Sequence, residues 1–385
     1  MDTTIYLDNN ATTRPTPEVL AAMQACHDEA WGNPSSKHRV GDAARQRMNS
    51  ARAEVAALLA ASSAELVFTS GATEANHMAI LGALALQPQR RHIVSSLVEH
   101  PSTLLLLRHL QAQGVRISWI AVDEHGQLQL DELAAAITPD TALVSLMWAN
   151  NETGVVFPIA QAAELARQRG VLFHTDAVQA VSRVPCDVAA MGVDLLSLSA
   201  HKLHGPKGIG ALYVRKGIRL PPLLFGHQER GRRGGTEDVA GIVGLGVAAA
   251  QARAALPRML AVSALRQRFE RGLARLPQVR INGAGAARLP NTVSVRFGQV
   301  HAELLLEHLD RLGICASSGS ACTASGDMPS HVLMAMGLSS EQAAATLRFS
   351  LSRDTRDDEI DAVLAALLQI VQIVQIVQPL QARVA

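Results

Sequence analysis

VLFHTDAVQA (residues 171–180) and DLLSLSAHKLHGPKGIG (194–210) decide how this chain folds. Each opens with a short apolar, β-prone run and ends in polar residues: Asp176 closes the first, and Ser199, His201 and Lys202 close the second. Apolar runs of this length between longer helical patterns read as buried strands of a mainly parallel sheet. Similar runs stand on either side: ELVFTS (65–70), HIVSS (92–96), VRISWIAV (115–122), ALVSLMWA (142–149) and GALYVR (210–215). PIAQAAELARQRG (158–170) is one of the intervening helices, and it ends in glycine where a helix C-terminus favours it. The alternation predicts an α/β fold in which seven strands are covered by helices and ligands bind at the strands' carboxyl ends.

The pattern changes further along. After a helical stretch at about 239–275 come VRIN (279–282), NTVSVRF (291–297), a helix near 301–312, ICAS (314–317), LRFSLS (347–352) and a last helix. This mixed order predicts a smaller α+β domain. The expected division is an N-terminal segment 1–15 packing with the small domain, a large domain 16–258 and the small domain 259–385. IVQ occurs three times between Ile370 and Gln378, and the acids Asp357, Asp358 and Glu359 just ahead suit a helix N-terminus, so the tail reads as helix rather than as a sticky strand.

The chain has 385 residues, 48% of them hydrophobic, enough for two domains with sizeable cores. Lysine and arginine number 35 against 34 acids, with no long block of one sign, so the footprint of a nucleic-acid binder is missing. The first residues, MDTTIYLDNNATT, lack a signal peptide's apolar core, and no run reaches the ~18 apolar residues of a membrane span. A cytoplasmic protein without membrane or nucleic-acid partners is the expectation. Four cysteines without CxxC spacing fit reduced thiols better than a disulfide framework or a zinc site.

Two elements carry chemistry. In FTSGATEANHMAI (68–80), a strand passes through Ser70, Gly71, Ala72 and Thr73 into a helix, which places unpaired backbone N–H groups where phosphate binds. The same turn also occurs as an ordinary strand-to-helix connection. Asp176 and Lys202 stand 26 residues apart at two strand ends. A carboxylate and a lysine so placed suit pyridoxal 5'-phosphate: the acid keeps the pyridine nitrogen protonated and the amine condenses with the aldehyde. Separately, Asp176 reads as a strand cap and Lys202 as a solvated lysine. Their neighbours favour the cofactor, because Ser199 and His201 offer phosphate donors and Gly205, Gly208 and Gly210 let backbone close over a ligand.

YLDNNATT, GNPSS, TSGATEAN, VEHP, WANNETG, HTDAVQA, SAHKLHGPKG, GRRGGTE, SSGSACT and LRFSLSR follow one another in this order, and together they resemble the cysteine desulfurases. The likeness spans nearly the whole chain. WANNETG, HTDAVQAV, HQERGRRGGTE and PSHV are closest to the nitrogen-fixation branch. The resemblance implies a class V aminotransferase of fold type I: a homodimer that converts L-cysteine to L-alanine, stores the sulfur as an enzyme persulfide and passes it to an iron–sulfur scaffold protein.

Residue by residue, it implies that Lys202 bears the cofactor and Asp176 pairs with its ring nitrogen. His100 stacks on the ring and moves protons, and Asn151 and Gln179 hold the ring hydroxyl. Ala72, Thr73, Ser199, Ala200 and His201 hold the phosphate, with Thr236 reaching in from the other subunit. Arg348 and Asn151 take the substrate carboxylate, and Arg353 is left as a structural ion-pair residue. Without the resemblance, His100 reads as a helix-entry residue before Pro101 and Asn151 as a turn residue. Ala200 stands where the family usually has glycine, and the chain is a residue shorter around Phe225, Gly226 and His227.

Cys322 lies in CASSGSACTASGD, a run too poor in large apolar residues to form core and better suited to a functional loop. The resemblance makes it the persulfide-forming nucleophile and, through that persulfide, a transient iron–sulfur ligand. Cys26, Cys186 and Cys315 read as small buried hydrophobes. A transaminase or a selenocysteine lyase would share the cofactor, a transaminase without need of this thiol, and a non-catalytic sulfur-trafficking scaffold would share only the fold.

Overall fold

The computed structural model describes residues 4–298, 300–318 and 329–381, with side chains as far as 371. After a short β1 (Ile5–Tyr6), the strands of the main sheet are β2 (Leu66–Thr69), β3 (His92–Ser96), β4 (Arg116–Ile120), β5 (Thr141–Met147), β6 (Leu172–Asp176), β7 (Leu195–Ser199) and β8 (Gly210–Val214). They pair in the order β2-β8-β7-β6-β5-β3-β4. Contacts from β7 through β6, β5 and β3 to β4 are parallel, and β8 runs antiparallel to both of its neighbours. Every expected strand of this region is present.

β2, β3, β5, β7 and β8 are buried along their whole length, which is why their sequences are continuous rather than alternating. Apolar clusters cover both faces of the sheet. One includes Phe157 and Phe173, and the other includes Met78, Ile80 and Leu107. Each such side chain contributes about 1.5–3 kcal/mol by leaving water.

A second sheet, in the order β12-β13-β10-β9, comprises β9 (Val279–Ile281), β10 (Thr292–Phe297), β12 (Ser317–Ser318) and β13 (Thr346–Ser350). Its cluster is separate and contains Leu7, Phe269, Phe349, Ile360 and Leu367, with the Phe269 and Phe349 rings edge-to-face at 5.2 Å. The N-terminal segment joins it: β1 pairs in parallel with β11 (Ile314–Cys315), and Asp8 bridges to Ser350. The tail is helical from Asp357 to Gln381. Among the described residues, one stretch, Val239–Leu273, is long and apolar enough to cross a membrane, and 67% of its apolar window is buried inside the molecule.

Candidate active site

A cavity of about 500 Å³ opens at the carboxyl ends of β5, β6 and β7. It is lined by Ala72, Thr73, His100, Asn151, Asp176, Gln179, Ser199, His201, Lys202 and Arg348, together with the backbone around Asn10 to Thr12. Ten positions expected from the sequence thus converge from six parts of the chain.

Asp176 is the last residue of β6 and is 6% exposed. Its Oδ1 accepts from the Val178 N–H (3.0 Å) and its Oδ2 from Asn76 Nδ2 (2.7 Å). Asn76 Nδ2 also donates to Ser102 Oγ (3.1 Å), and the Ser102 hydroxyl donates to His100 Nδ1 (2.8 Å). An oriented chain of donors therefore runs from Asn76 to both Asp176 and His100. Because the Ser102 N–H also donates to His100 Nδ1, that nitrogen is an acceptor and a neutral ring carries its proton on Nε2. His100 caps the helix Pro101–Ala112 and lines the cavity at once, so its helix-entry reading and its site placement both hold. Burial lowers its pKa, with Lys202 and His331 adding to the effect against the pull of Asp176.

Lys202 sits in the tight turn Ala200–Lys202 that follows β7. Its ammonium donates to the carbonyls of Asn10 (2.6 Å) and Ala11 (2.7 Å). Gln179 Nε2 donates to the same Asn10 carbonyl (3.0 Å). The Thr13 N–H bonds to the His201 carbonyl (2.9 Å), so the N-terminal segment is laced onto the lysine turn.

At the other end, the helix Ala72–Leu86 starts from Gly71 without any side-chain cap, leaving its first N–H groups to face the cavity. Gly71 has φ +154°, which strongly favours glycine, and a side chain there would meet only open space. His201 faces the same region, and burial, with Lys202 and Lys207 nearby, pushes its pKa down to about 4, so the ring is neutral. Its Nδ1 lies 3.2 Å from Thr12 Oγ1.

Arg348 comes from β13 of the second sheet and is 1% exposed. It donates to Asp8 Oδ1 (2.8 Å) and to the Asn151 carbonyl (3.2 Å), while its Nε has no partner. Two buried acceptors beside the cavity are likewise unpaired, Asn76 Oδ1 and Gln179 Oε1.

Two expected residues among those described are not brought to the cavity. Ala200 is fully buried beneath it, with its N–H bonded to the Ile209 carbonyl (3.1 Å). Its carbonyl and methyl stand so close to Gly205 that a side chain there would clash, so Ala200 supports the lysine turn instead of lining the site. Thr236 is exposed and lines an adjacent cavity that shares Ser70 and Gly208 with the main one. Cys322 lies outside the described residues. Among the other thiols Cys26 is buried as expected, whereas Cys186 and Cys315 are only partly buried, the first in the irregular segment before the helix Val188–Met191 and the second in the two-stranded β1–β11 pair. Arg353 pairs with Asp354 at 3.9 Å and bonds Gln251, in keeping with a structural role.

Sequence reasoning missed Asn10, Asn76 and Ser102, which hold the other groups in place. It also missed Glu99, fully buried beside His100, which accepts from Ser96 Oγ (2.6 Å) and the Met147 N–H (3.0 Å). For Asn10, Asn76 and Glu99, only their position inside the quoted motifs hints at such a role, and Ser102 lies just beyond VEHP. Chemically the arrangement offers an anion site, an acid and amine pair at its centre, and a guanidinium with capacity for one more acceptor.

The class V aminotransferase family model matches residues 5–363. Cysteine desulfurase 2 of Trichormus variabilis is 50% identical over 92% of this chain and 89% of its own length. Cysteine desulfurase NifS of Azotobacter vinelandii is 47% identical over 92% and 89%. A solved NifS-like protein superposes with a TM-score of 0.90 at 35% identity, covering 97% of this chain and all of the other. The chain belongs to the class V aminotransferases, a pyridoxal-phosphate-dependent family of fold type I, and within them to the group of the cysteine desulfurases.

Proposed function

We propose that the protein takes the sulfur from L-cysteine, releases L-alanine and holds the sulfur as a persulfide on Cys322 for iron–sulfur cluster assembly, nitrogenase included. The observation that carries this reading is the single cavity that unites Lys202, Asp176 and Arg348. Its residues fit pyridoxal phosphate. The uncapped amides at Ala72 and Thr73, with Ser199 and His201, suit the phosphate, and Asn151 and the unpaired Gln179 Oε1 suit the ring hydroxyl. Asp176, its carboxylate fixed by Asn76 and Val178, suits the pyridinium nitrogen. When bound, the cofactor withdraws electrons from the substrate, acidifying its α-proton and weakening its Cβ–S bond.

The chain's own groups do the rest. Arg348 turns its unpaired Nε to the substrate carboxylate, with Asn151 beside it. Lys202 Nζ, released from the Asn10 and Ala11 carbonyls, accepts the α-proton. His100, with Nδ1 engaged by Ser102, presents its Nε2 proton inward. The Cys322 thiolate attacks the substrate sulfur, so an S–S bond forms as Cβ–S breaks. The bonding pair stays with the carbon skeleton and protonation completes alanine; cysteine and one thiol give alanine and one persulfide, with no further reductant.

We assign the working form as a cytoplasmic homodimer in which Thr236 completes the partner's phosphate site. Residues 16–258 act as the cofactor domain, 259–385 as the domain carrying the nucleophile, and 1–15 as the strap between them. A scaffold protein takes the sulfur. Cys322→Ala should keep the coloured cofactor while losing alanine and persulfide formation. Turnover at the parent rate, or sulfur found by mass spectrometry on Cys315, would overturn the assignment.

A further inference from the structure

The chain changes sheets across Cys322. Before it, β12 pairs with β13 of the four-stranded sheet. After it, the helix His331–Ala335 sets Val332 and Leu333 into the apolar core of the seven-stranded sheet. The point where the chain re-enters that core is held by two polar bonds. Ser330 Oγ donates to Glu152 Oε2 at 2.5 Å, with the two residues 4% and 5% exposed. His331 Nε2 lies 2.9 Å from the Glu99 carbonyl and, since a carbonyl only accepts, the ring nitrogen is the donor.

The receiving residues are sequence neighbours of cavity residues. Glu99 precedes His100, and Glu152 follows Asn151. The turn Asn150–Thr153, in which Asn150 Oδ1 accepts from the N–H groups of both Glu152 and Thr153 (2.9 Å each), directs the two side chains oppositely: Asn151 lines the cavity and Glu152 does not. Both loops thus show one face to the cavity and the other to Ser330 and His331.

We propose that Glu152 and Ser330, seconded by the His331 to Glu99 bond, form a clamp that fixes the carboxyl-side root of the segment bearing Cys322 against the cavity walls, making Glu152 a positioning residue for sulfur transfer. The inference rests on the desulfurase reading above. Apolar packing of Val332 and Leu333 holds the helix to the core, but it gives no directional bond to the loop that ends at Asn151. The carboxylate supplies that direction, at the cost of its burial. Burial, offset by Ser330 and by the charge of Arg348, pushes the Glu152 carboxyl up to about 7, so it stands between its two forms near neutral pH and accepts from Ser330 in either.

The test compares the holoenzyme with Ser330→Ala, Glu152→Ala and Glu152→Gln, the last of which keeps an acceptor. Alanine release, persulfide on Cys322, KM for cysteine and the cofactor absorbance are measured together. Removing donor or acceptor should lower kcat by about tenfold or more, as a displaced reacting group does, with KM and absorbance unchanged. Glu152→Gln should stay close to the parent rate. Ser330→Ala at the rate of an active parent overturns the clamp alone. So does a loss of kcat accompanied by altered KM and absorbance, which would place the pair in the cavity wall. A parent inert toward cysteine overturns the desulfurase reading, and the clamp with it.

Discussion

The cavity has a floor and a roof, and they are built differently. The floor comes from strand ends of the seven-stranded sheet and the loops beyond them, and its polar side chains are bonded to one another: Asn76 to Asp176 and Ser102, Ser102 to His100. The roof comes from Asp8 to Thr12 and from Arg348 on the second sheet, and the two cations at the seam, Lys202 from the floor and Arg348 from the roof, rest on backbone carbonyls and one carboxylate. A closed network of side chains holds fixed orientations. Cations resting on carbonyls can change partners, because a carbonyl left behind still finds water or a ligand. The difference separates groups that stay still during the reaction from groups that must move.

The largest effect should come from the cation that moves most. Lys202→Ala should abolish the covalent coloured adduct and lower alanine formation by about 10²–10⁴-fold, the usual weight of a positioned proton-transfer group. Absorbance and product assay together check this, and a variant with normal colour and turnover would place the chemistry elsewhere. Arg348→Ala should follow. One charged hydrogen bond is worth about 1.5–3 kcal/mol, or roughly ten- to a hundredfold in kcat/KM, carried mainly by KM for cysteine. A fall in kcat at constant KM would mean that Arg348 belongs with the fixed groups instead.

The bonded side-chain network of the floor should respond more mildly and in kcat. Asn76→Ala removes one bond to Asp176 and one to Ser102, loosening His100 without removing any reactive group. About a tenfold fall in kcat, with KM and cofactor content unchanged, is expected from such misplacement. If KM rose and kcat did not, the distinction between floor and roof would fail at this residue.

The same distinction explains what was legible in the sequence. Asp176, Lys202 and Ser199 end apolar runs, and strand ends face the ligand crevice, so residue type and place gave them away. The Gly71 turn was legible because a strand that runs through Ser-Gly-Ala-Thr into a helix leaves its first amides uncapped. The floor network was not, since Asn76 and Asp176 lie 100 residues apart and meet only when β6 and the helix after β2 pack together. The partners of Arg348 were hidden too: Asp8 is 340 residues away, and the juxtaposition depends on β1 joining β11. His100 and Asn151 were read from family resemblance because their local patterns, an X-Pro helix entry and an Asn turn, have ordinary structural uses. Cys186 misled because a small thiol suggests full burial, yet it lies half-buried at the edge of the core, where desolvation and Asp187 push its thiol up to about 12.

The smallest effect concerns the acid behind the floor. Burial, opposed by its bonds to Ser96 and Met147, pushes Glu99 up to about 8 from an ordinary 4.5, so the folded protein keeps a proton there that the unfolded chain has released. Stability must then fall as pH rises from 4.5 to about 8, with a slope of at most about 1.4 kcal/mol per pH unit for one proton. His92 and His174 act in the opposite sense over a lower window: burial pushes both to about 4, so their contribution grows between pH 4 and 6.5 and is complete above it. Between pH 6.5 and 8 the two raised carboxyls still act, with Glu152 dropping out near 7. Glu99→Gln should therefore unfold in urea with a flatter pH dependence than the parent across pH 6.5–8. Parallel curves for the two proteins would show that Glu99 is ionised in the fold, and that the floor carries a negative charge beside His100 although one Glu99 oxygen is buried without a donor.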